Sequence, residues 1–325
     1  MDYRVEKGSV AARIQLFGAM VSPEFVLEGR LVQPFYQAPW DDFPSDPLLA
    51  HLRGDFACVP FGIGPSSMDG YPPPWDELES AQSAHAHGYP ANNVWEPVTV
   101  APDWAELLLE LPEPEPVESI RRTIRCVQPW VFIEDEFTVR RDVSLPLGLH
   151  PMFRLPSEVG GARLRLPGCQ TLATLPVPTD ARSVLLPATE FEGAARAPLR
   201  DGGVLDLTSL PLPMATEELV LLVEVAEPRV ALENLVEGYR IVLEWESDHL
   251  SHCLLWISNR GRAFPPWDGR NLCLGVEPVT SAFDLGTQIS TAANPLAARG
   301  IRTAVALESG KTHVLRHRFK LEALS

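Results

Sequence analysis

A single glutamate stands in an apolar run in the last quarter of the chain. Residues 272–278 read Leu-Cys-Leu-Gly-Val-Glu-Pro, and Glu277 is the one charged residue among them. Such a run predicts a short strand buried on both faces, which Pro278 ends because proline has no N–H to donate. A carboxylate among apolar neighbours has a raised pKa and can act as a general base. The alternative is an ordinary solvated glutamate at a strand end.

A histidine that follows another strand-like stretch could supply the matching acid. His150 comes directly after Gly148 and Leu149 and directly before Pro151. One glutamate base and one histidine acid are enough for proton transfer on a neutral hydroxyl compound. The alternative is a structural histidine whose hydrogen bonds are satisfied within the protein.

Two further histidines lie two residues apart and would share one face of an extended segment. His85 and His87 could form a metal-binding pair as in cupin-type jelly rolls, but the next acidic residue is Glu96, too far along for that motif. Alternatively, His87 hydrogen-bonds a substrate, with Asn92 and Trp95 supplying an amide donor and an aromatic surface. An exposed loop is the third possibility.

One arginine and one tryptophan complete the candidate site. Arg53 could donate a fork of hydrogen bonds to vicinal hydroxyls, or pair with Asp55 on the surface. Trp256, at the end of an apolar run, could line a sugar site or pack in the core. A group of three arginines could form a phosphate site or an exposed basic loop: Arg260, Arg262 and Arg270.

The charge balance argues against nucleic acid and anionic membranes as partners. The 325 residues include 27 lysines and arginines against 43 aspartates and glutamates, a formal net charge of −16, whereas both partners need clustered cations. No apolar run approaches the roughly 20 residues of a membrane helix, and residues 1–13 hold no apolar core of a signal peptide. The five cysteines are scattered without a Cys-x-x-Cys motif, as in reduced cytosolic proteins. We therefore expect a soluble, cytoplasmic protein.

The elements that must position these residues are predominantly strands. The 32 prolines interrupt every long helical pattern, and short apolar or alternating runs recur between turn residues. The predicted strands cover residues 25–32 as one strand or two around Gly29, 119–127, 130–133 and 137–139 joined by a Glu-Asp-Glu turn, 229–236 and 239–245 as a hairpin, 252–258, and 313–321.

Two ambiguous segments, 104–111 and 217–225, have helical propensity, but their β context favours strands. Proline-rich segments at 65–75 and 113–116 are interpreted as surface loops, because composition does not change across them. We therefore predict a mainly β protein, a large antiparallel β-sandwich in which residues 1–325 form one domain. Dinucleotide, Walker, nucleophile-elbow and zinc-protease motifs are absent from the sequence.

Taken together and in this order, the motifs resemble the galactose mutarotase-like (aldose 1-epimerase) family. The resemblance spans most of the chain and rests on four short segments, each matched at its own place in the order. They are residues 52–56 with 60–62, His87-Gly88 with Asn92 and Trp95, His150-Pro151 with 153–155, and residues 275–278.

The resemblance implies an antiparallel β-supersandwich with an open sugar site. Glu277 would be the base that takes the anomeric hydroxyl proton, and His150 the acid that protonates the ring oxygen. Substrate-binding residues would be His87, Arg53, Asn92, Trp95 and Trp256. The reaction would be anomer interconversion of a small-molecule sugar, without metal or other cofactor.

Two departures from the family pattern affect the substrate more than the fold. Family members usually carry an Asn-Arg pair before the first histidine segment, where this chain reads Arg53-Gly54-Asp55, and a glutamine after the strand-end glutamate, which is missing here. Two alternatives therefore stay open: a non-catalytic sugar-binding or regulatory protein on the same fold, and a metal-dependent lyase or hydrolase.

Overall fold

The computed structural model describes residues 2–40 and 46–324, and strands predominate in it. The strands of the N-terminal half are β1 (Asp2–Lys7), β2 (Val10–Gln15), β3 (Met20–Leu27), β4 (Arg30–Val32), β5 (Ala57–Cys58), β6 (Glu96–Val100), β7 (Trp104–Glu110), β8 (Val117–Val127), β9 (Trp130–Val139), β10 (Val143–Leu145), β11 (Leu147–Leu149) and β12 (Met152–Arg154).

The strands of the C-terminal half are β13 (Ala162–Arg165), β14 (Cys169–Thr174), β15 (Glu190–Phe191), β16 (Ala197–Pro198), β17 (Val204–Leu205), β18 (Ser209–Leu210), β19 (Thr216–Val225), β20 (Arg229–Asn234), β21 (Tyr239–Trp245), β22 (His252–Asn259), β23 (Leu272–Thr280), β24 (Val305–Leu307) and β25 (Thr312–Ala323). The α-helices are α1 (Pro47–His51) and α2 (Gly286–Thr291). Neither helix of the described ranges is long and apolar enough to cross a membrane.

Two large antiparallel sheets form the body of the molecule, which confirms the predicted mainly β sandwich. One sheet has nine strands in the order β18-β13-β20-β21-β25-β9-β8-β7-β6, and the other has the order β15-β14-β19-β22-β23-β11-β5, with β12 also pairing with β23. The strands β1–β4 form a separate sheet that packs on β8. At the free edge of the nine-stranded sheet, β6 is exposed throughout, and its pairing with β7 shifts register between Pro97 and Thr99.

The eight-stranded sheet is buried on both faces, and side-chain alternation divides its residues between two cores. Val220 and Leu255 point into the main core against the nine-stranded sheet. Leu219, Leu254 and Trp256 point to the opposite face, where long loops cover a second core. The apolar runs of these strands follow from this double burial. The second face also carries the candidate site.

Several strand predictions are confirmed. Two strands flank Gly29, the hairpin of β20 and β21 forms, and both ambiguous segments are strands, namely β7 and β19. The predicted Glu-Asp-Glu turn is wrong, because β9 runs through it without a break. Along β9 burial alternates strictly, so that Asp135 points inward while Glu134 and Glu136 point outward. The three acidic residues therefore follow strand alternation.

Pro278 does not end its strand, contrary to prediction, because β23 continues to Thr280. The amide of Val276 faces β11 and β12, since it donates to the carbonyl of Pro151 at 2.9 Å. The nitrogen of Pro278, two residues further on, faces the same side. At that point the neighbouring segment crosses from β11 to β12, and it requires no ladder hydrogen bond from residue 278. The missing N–H is therefore tolerated.

A cluster of four fully buried ionisable groups ties the two large sheets together. Arg122 on β8 donates to the carboxylate of Asp55 and lies 3.6 Å from Oδ1 of Asp135, its partner on β9. His317 Nε2 on β25 lies 3.0 Å from Oδ2 of the same Asp55. Burial raises the pKa of Asp55, but His317 and Arg122 more than compensate and the net shift is downward. Asp55 is therefore the anion that balances this cluster, and its neighbour Phe56 leads into the candidate site.

We expect Asp55→Asn to lower the free energy of unfolding by about 3–5 kcal/mol at pH 7, because it leaves the guanidinium of Arg122 buried without its main counter-charge. Urea unfolding followed by tryptophan fluorescence measures the loss.

Asp135→Asn is the matched control. Its carboxylate oxygens accept no hydrogen bond from the described residues, and burial raises its pKa to about 6. We expect a smaller loss than for Asp55→Asn. Because the folded pKa exceeds the ordinary value, the wild-type protein loses stability relative to Asp135→Asn as pH rises from about 4 to 6. Equal losses for the two variants at pH 7 would contradict the assignment of Asp55 as the balancing anion.

Candidate functional site

A cavity of about 310 Å³ opens on the second face of the eight-stranded sheet. Its floor is formed by inward-pointing residues of three adjacent strands, and its walls by loops. The floor residues are Leu219, Leu254, Trp256 and Glu277; the wall residues include His87, His150, Arg262, Trp267 and Asp284. The fold thus brings four of the predicted site residues to one cavity: Glu277, His150, His87 and Trp256.

Glu277 projects from the middle of β23 into this cavity. Its alternation partner two residues earlier is Gly275, and a Cβ at that position would collide with the Glu277 carboxylate and touch the Cβ of Trp256. Only glycine leaves the space in which both side chains fit. The apolar run therefore places the carboxylate, and its one glycine makes room for it.

His150 lies where the chain crosses from β11 to β12, beside Glu277. Its amide donates to the carbonyl of Phe56 at 2.9 Å, and its ring stacks on that of Phe56 with centroids 4.6 Å apart and planes at 15°. In this orientation Nε2 lies 3.5 Å from Oε1 of Glu277. An imidazole and a carboxylate thus meet at one point of the cavity wall.

His87 adds a second imidazole, held by a strained loop. Its φ of +59° is unusual for a residue with a Cβ. Asn92 stabilises this conformation by donating to the carbonyls of Ala86 and Gly88 at 2.7 and 2.8 Å. The His87 ring meets that of His150 edge to face, with centroids 4.8 Å apart. Strain at a cavity wall is typical of functional sites.

Burial keeps all three ionisable groups in their neutral forms. It raises the pKa of Glu277 well above its usual range, with Asp284 adding to the effect. Burial lowers the pKa of His150 to about 4, and burial together with His150 and Arg262 lowers that of His87 well below its usual range. The Glu277–His150 pair therefore holds one proton over a wide pH range.

Two imidazole nitrogens at this cavity lack a hydrogen-bond partner among the described residues. They are Nδ1 of His87 and Nδ1 of His150, both in side chains that are more than nine-tenths buried. Buried polar atoms are normally paired. A polar ligand with several hydroxyl groups could supply such partners.

A buried glutamate that the sequence reasoning missed holds the polar wall of the cavity. Glu217 accepts from Nε1 of Trp256 at 2.6 Å and from Oγ of Ser258 at 2.9 Å, and its Oε1 lies 3.1 Å from Nε of Arg262. The guanidinium of Arg262 also lies over the ring of Trp267. The one available signal was alternation, which puts Glu217 on the same face as Leu219.

Three predicted substrate-binding residues lie elsewhere. Asn92 and Trp95 brace the His87 loop, since the indole N–H of Trp95 donates to the carbonyl of Pro90 at 2.9 Å and its ring is buried. Arg53 lines a different cavity, together with Arg13 and Tyr36. These residues therefore do not line the cavity that holds Glu277.

The candidate metal pair and the candidate phosphate cluster do not assemble either. His85 meets the ring of Tyr89 edge to face and lines another depression, whereas His87 lines the cavity. Within residues 2–40 and 46–324, no group of three histidine, cysteine or acidic side chains is arranged to hold a metal. Arg262 lines the Glu277 cavity, while Arg270 lines the cavity that contains Arg53.

Known structures share this fold over nearly their whole length. An aldose epimerase homologue from C. elegans superposes with a TM-score of 0.65 at 14% identity, covering 100% of this chain and 99% of that one. A galactose mutarotase related enzyme from Lactobacillus acidophilus gives 0.63 at 14% identity, covering 100% and 98%. A galactose mutarotase-like protein from Clostridium acetobutylicum gives 0.61 at 14% identity, covering 99% and 95%.

No protein-family model and no curated protein sequence matches the chain. At this level of identity the structural likeness shows a galactose mutarotase-like fold and nothing finer.

The neutral state of the two cavity histidines can be measured directly. We expect ¹⁵N chemical shifts of neutral imidazole for His87 and His150 at pH 6, because burial disfavours the charged ring. Histidine-labelled protein, with His87→Gln and His150→Gln variants to assign the signals, provides the measurement. An imidazolium signal that disappears in His150→Gln would contradict the burial argument.

Proposed function

We propose that this protein is a carbohydrate mutarotase, an isomerase of the aldose 1-epimerase type, which interconverts the α and β anomers of a free sugar. The observation that carries the proposal is the 3.5 Å separation between Nε2 of His150 and Oε1 of Glu277 at the wall of one cavity. Two of the proteins that share this fold are named an aldose epimerase homologue and a galactose mutarotase related enzyme, which supports the same class of activity.

The reaction needs one acid and one base at the same carbon. Glu277 takes the proton of the anomeric hydroxyl while His150 gives a proton to the ring oxygen. The bond between the anomeric carbon and the ring oxygen breaks, and the anomeric oxygen becomes the carbonyl of the open-chain aldehyde. Rotation exposes the other carbonyl face, and closure returns both protons. Since both oxygens are bonded to one carbon, acid and base must be close neighbours, as these two side chains are.

The protonation state that the cycle requires is the pair with one proton. In the empty cavity burial keeps this proton on Glu277. Sugar hydroxyls that donate to the carboxylate stabilise its charged form, and the proton then resides on His150. The substrate itself thereby turns Glu277 into the base and His150 into the acid.

The remaining walls are suited to a monosaccharide. A cavity of about 310 Å³ is at the lower end of small-molecule sites. Trp256 and Trp267 offer apolar surfaces for the sugar's C–H groups, while His87 and Arg262 offer polar groups for its hydroxyls. Because Glu217 already pairs with Arg262, the wall carries no large excess of positive charge. A neutral sugar fits this arrangement.

Glu277→Gln should reduce anomer exchange by ~10²-fold or more, because the amide keeps the shape of the side chain but cannot accept the proton. NMR saturation exchange over a panel of free aldoses identifies the substrate, and the same measurement compares the variant with the wild type.

The matched control is Glu218→Gln, which changes a buried glutamate on β19 that does not line the cavity. It should retain the wild-type rate, with thermal unfolding measured for both variants. A Glu277→Gln rate within about threefold of the wild type would remove Glu277 as the base. A sugar bound by the wild type without any exchange would favour the binding protein instead.

The pH profile of kcat/KM should be a broad bell. Activity falls as the pair gains a second proton, which happens as pH drops through about 4, where His150 titrates. It falls again at high pH as the pair loses its only proton, above the usual range of a glutamate because burial raises the Glu277 pKa. A profile centred below pH 5 would contradict the shared-proton scheme.

A further inference from the structure

A second and larger cavity, of about 510 Å³, lies between the N-terminal sheet and the beginning of β23. We call it the arginine cavity, because four arginines line it: Arg13, Arg53, Arg154 and Arg270. It is separate from the cavity of Glu277. Leu272, which lines the arginine cavity, precedes Glu277 by five positions on β23, roughly 17 Å along an extended strand.

Four guanidinium groups line this wall, and two of them pair with carboxylates just outside it: Arg154 with Glu237, and Arg270 with Asp268 at 3.5 Å. Among the described residues only two carboxylates line the arginine cavity, those of Asp2 and Glu24. Glu24 is buried and already occupied, since Arg4 and Arg13 both contact it through Nε and Gln33 donates to it at 2.6 Å. Because each lining arginine lies near a carboxylate, the capacity of this wall to bind an anion depends on which guanidinium nitrogens have no acceptor among the described residues.

Two of the guanidinium groups retain donors for a ligand. Arg53 uses Nε for the carbonyl of His51 at 3.3 Å, and its terminal nitrogens approach only Asp2, at 3.8 Å. Arg13 uses Nε alone, for Glu24. No described residue accepts a hydrogen bond from the terminal nitrogens of either arginine. Arg154, by contrast, is committed to Glu237 through two hydrogen bonds.

The rest of the wall is mixed: four uncharged polar residues line it, namely Gln15, Ser22, Gln33 and Gln37, and beside them lies a firmly placed apolar part. Met20, Phe35 and Tyr36 are buried side chains that line the cavity beside the arginines. The hydroxyl of Tyr36 donates to Oδ1 of Asn271, which holds its ring in position. The cavity thus combines two guanidinium groups whose terminal nitrogens donate to no described residue with a partly hydrophobic surface.

From these features we propose that the arginine cavity is a binding site for a small organic phosphate monoester. Its phosphate would take hydrogen bonds from the terminal nitrogens of Arg13 and Arg53, since guanidinium matches phosphate in a bidentate geometry. Its carbon body would pack on Phe35 and Tyr36. This site is independent of the proposed sugar chemistry and of Glu277.

Isothermal titration calorimetry with phenyl phosphate tests the proposal, because this probe joins a dianion to an apolar ring. We expect binding that weakens with added salt, binding of inorganic phosphate that is weaker than that of phenyl phosphate, and no binding of phenol. Each of Arg53→Gln and Arg13→Gln should weaken phenyl phosphate binding about tenfold or more, the loss of a charge-assisted hydrogen bond.

Two controls make the result specific. Arg196→Gln removes the same charge at an exposed position outside the cavity and should bind like the wild type. Arg262→Gln, in the Glu277 cavity, should also leave binding unchanged. Absence of phenyl phosphate binding, wild-type affinity in both Arg53→Gln and Arg13→Gln, or loss of binding in Arg262→Gln alone would overturn the proposal. Circular dichroism of every variant verifies that it is folded.

Discussion

The interaction between Asp55, Arg122 and His317 is the constraint on which the candidate site depends. It joins the segment before β5 to β8 and β25 of the opposite sheet, in the buried space between the sheets. A buried ion cluster of this kind tolerates little displacement, because its charges are stable only while they remain paired. Phe56 follows directly, and its ring and carbonyl orient His150. The charge balance of the core thereby fixes the geometry of the cavity.

Asp55 and Glu277 are both buried, but their pKa values shift in opposite directions, and the neighbours of each acid explain the difference. Asp55 stays ionised because a guanidinium and an imidazole both contact it. Glu277 is equally buried, but its nearest polar neighbour is an imidazole that burial keeps neutral, so that the carboxyl retains its proton. The pair of Asp55 and Arg122 is thus a permanent pair of charges. The cavity pair is an uncharged couple that a hydroxyl ligand can polarise.

Much of the fold could be predicted from the sequence, because alternation and apolar runs report strand burial directly. The same reasoning brought Glu277 and His150 to attention, since each stands out in or beside a strand, whereas His87 was noticed for its spacing from His85. Sequence reasoning failed where contacts between distant parts of the chain determine the local structure or the direction of a side chain. In the sequence Asp135 resembles part of a turn, but in the structure it lies within β9 opposite Arg122 on β8. Pro278 resembles a strand end, but β23 continues through it because the chain crosses from β11 to β12 beside its nitrogen. Arg53 and Glu217 show the same limit, because nothing local indicates which side of a sheet or segment an isolated charge will face.

The edge strand β6 bears on how copies of this protein behave in concentrated solution. A fully exposed strand that is paired on one side only, with Val98 and Val100 on its surface, is the kind of edge that recruits strands from other molecules. Here Pro97 removes a donor, and the register shift that follows bends the edge away from a straight template. Glu96 adds charge at its start. The sheet therefore carries its own protection against edge-to-edge aggregation at its β6 border.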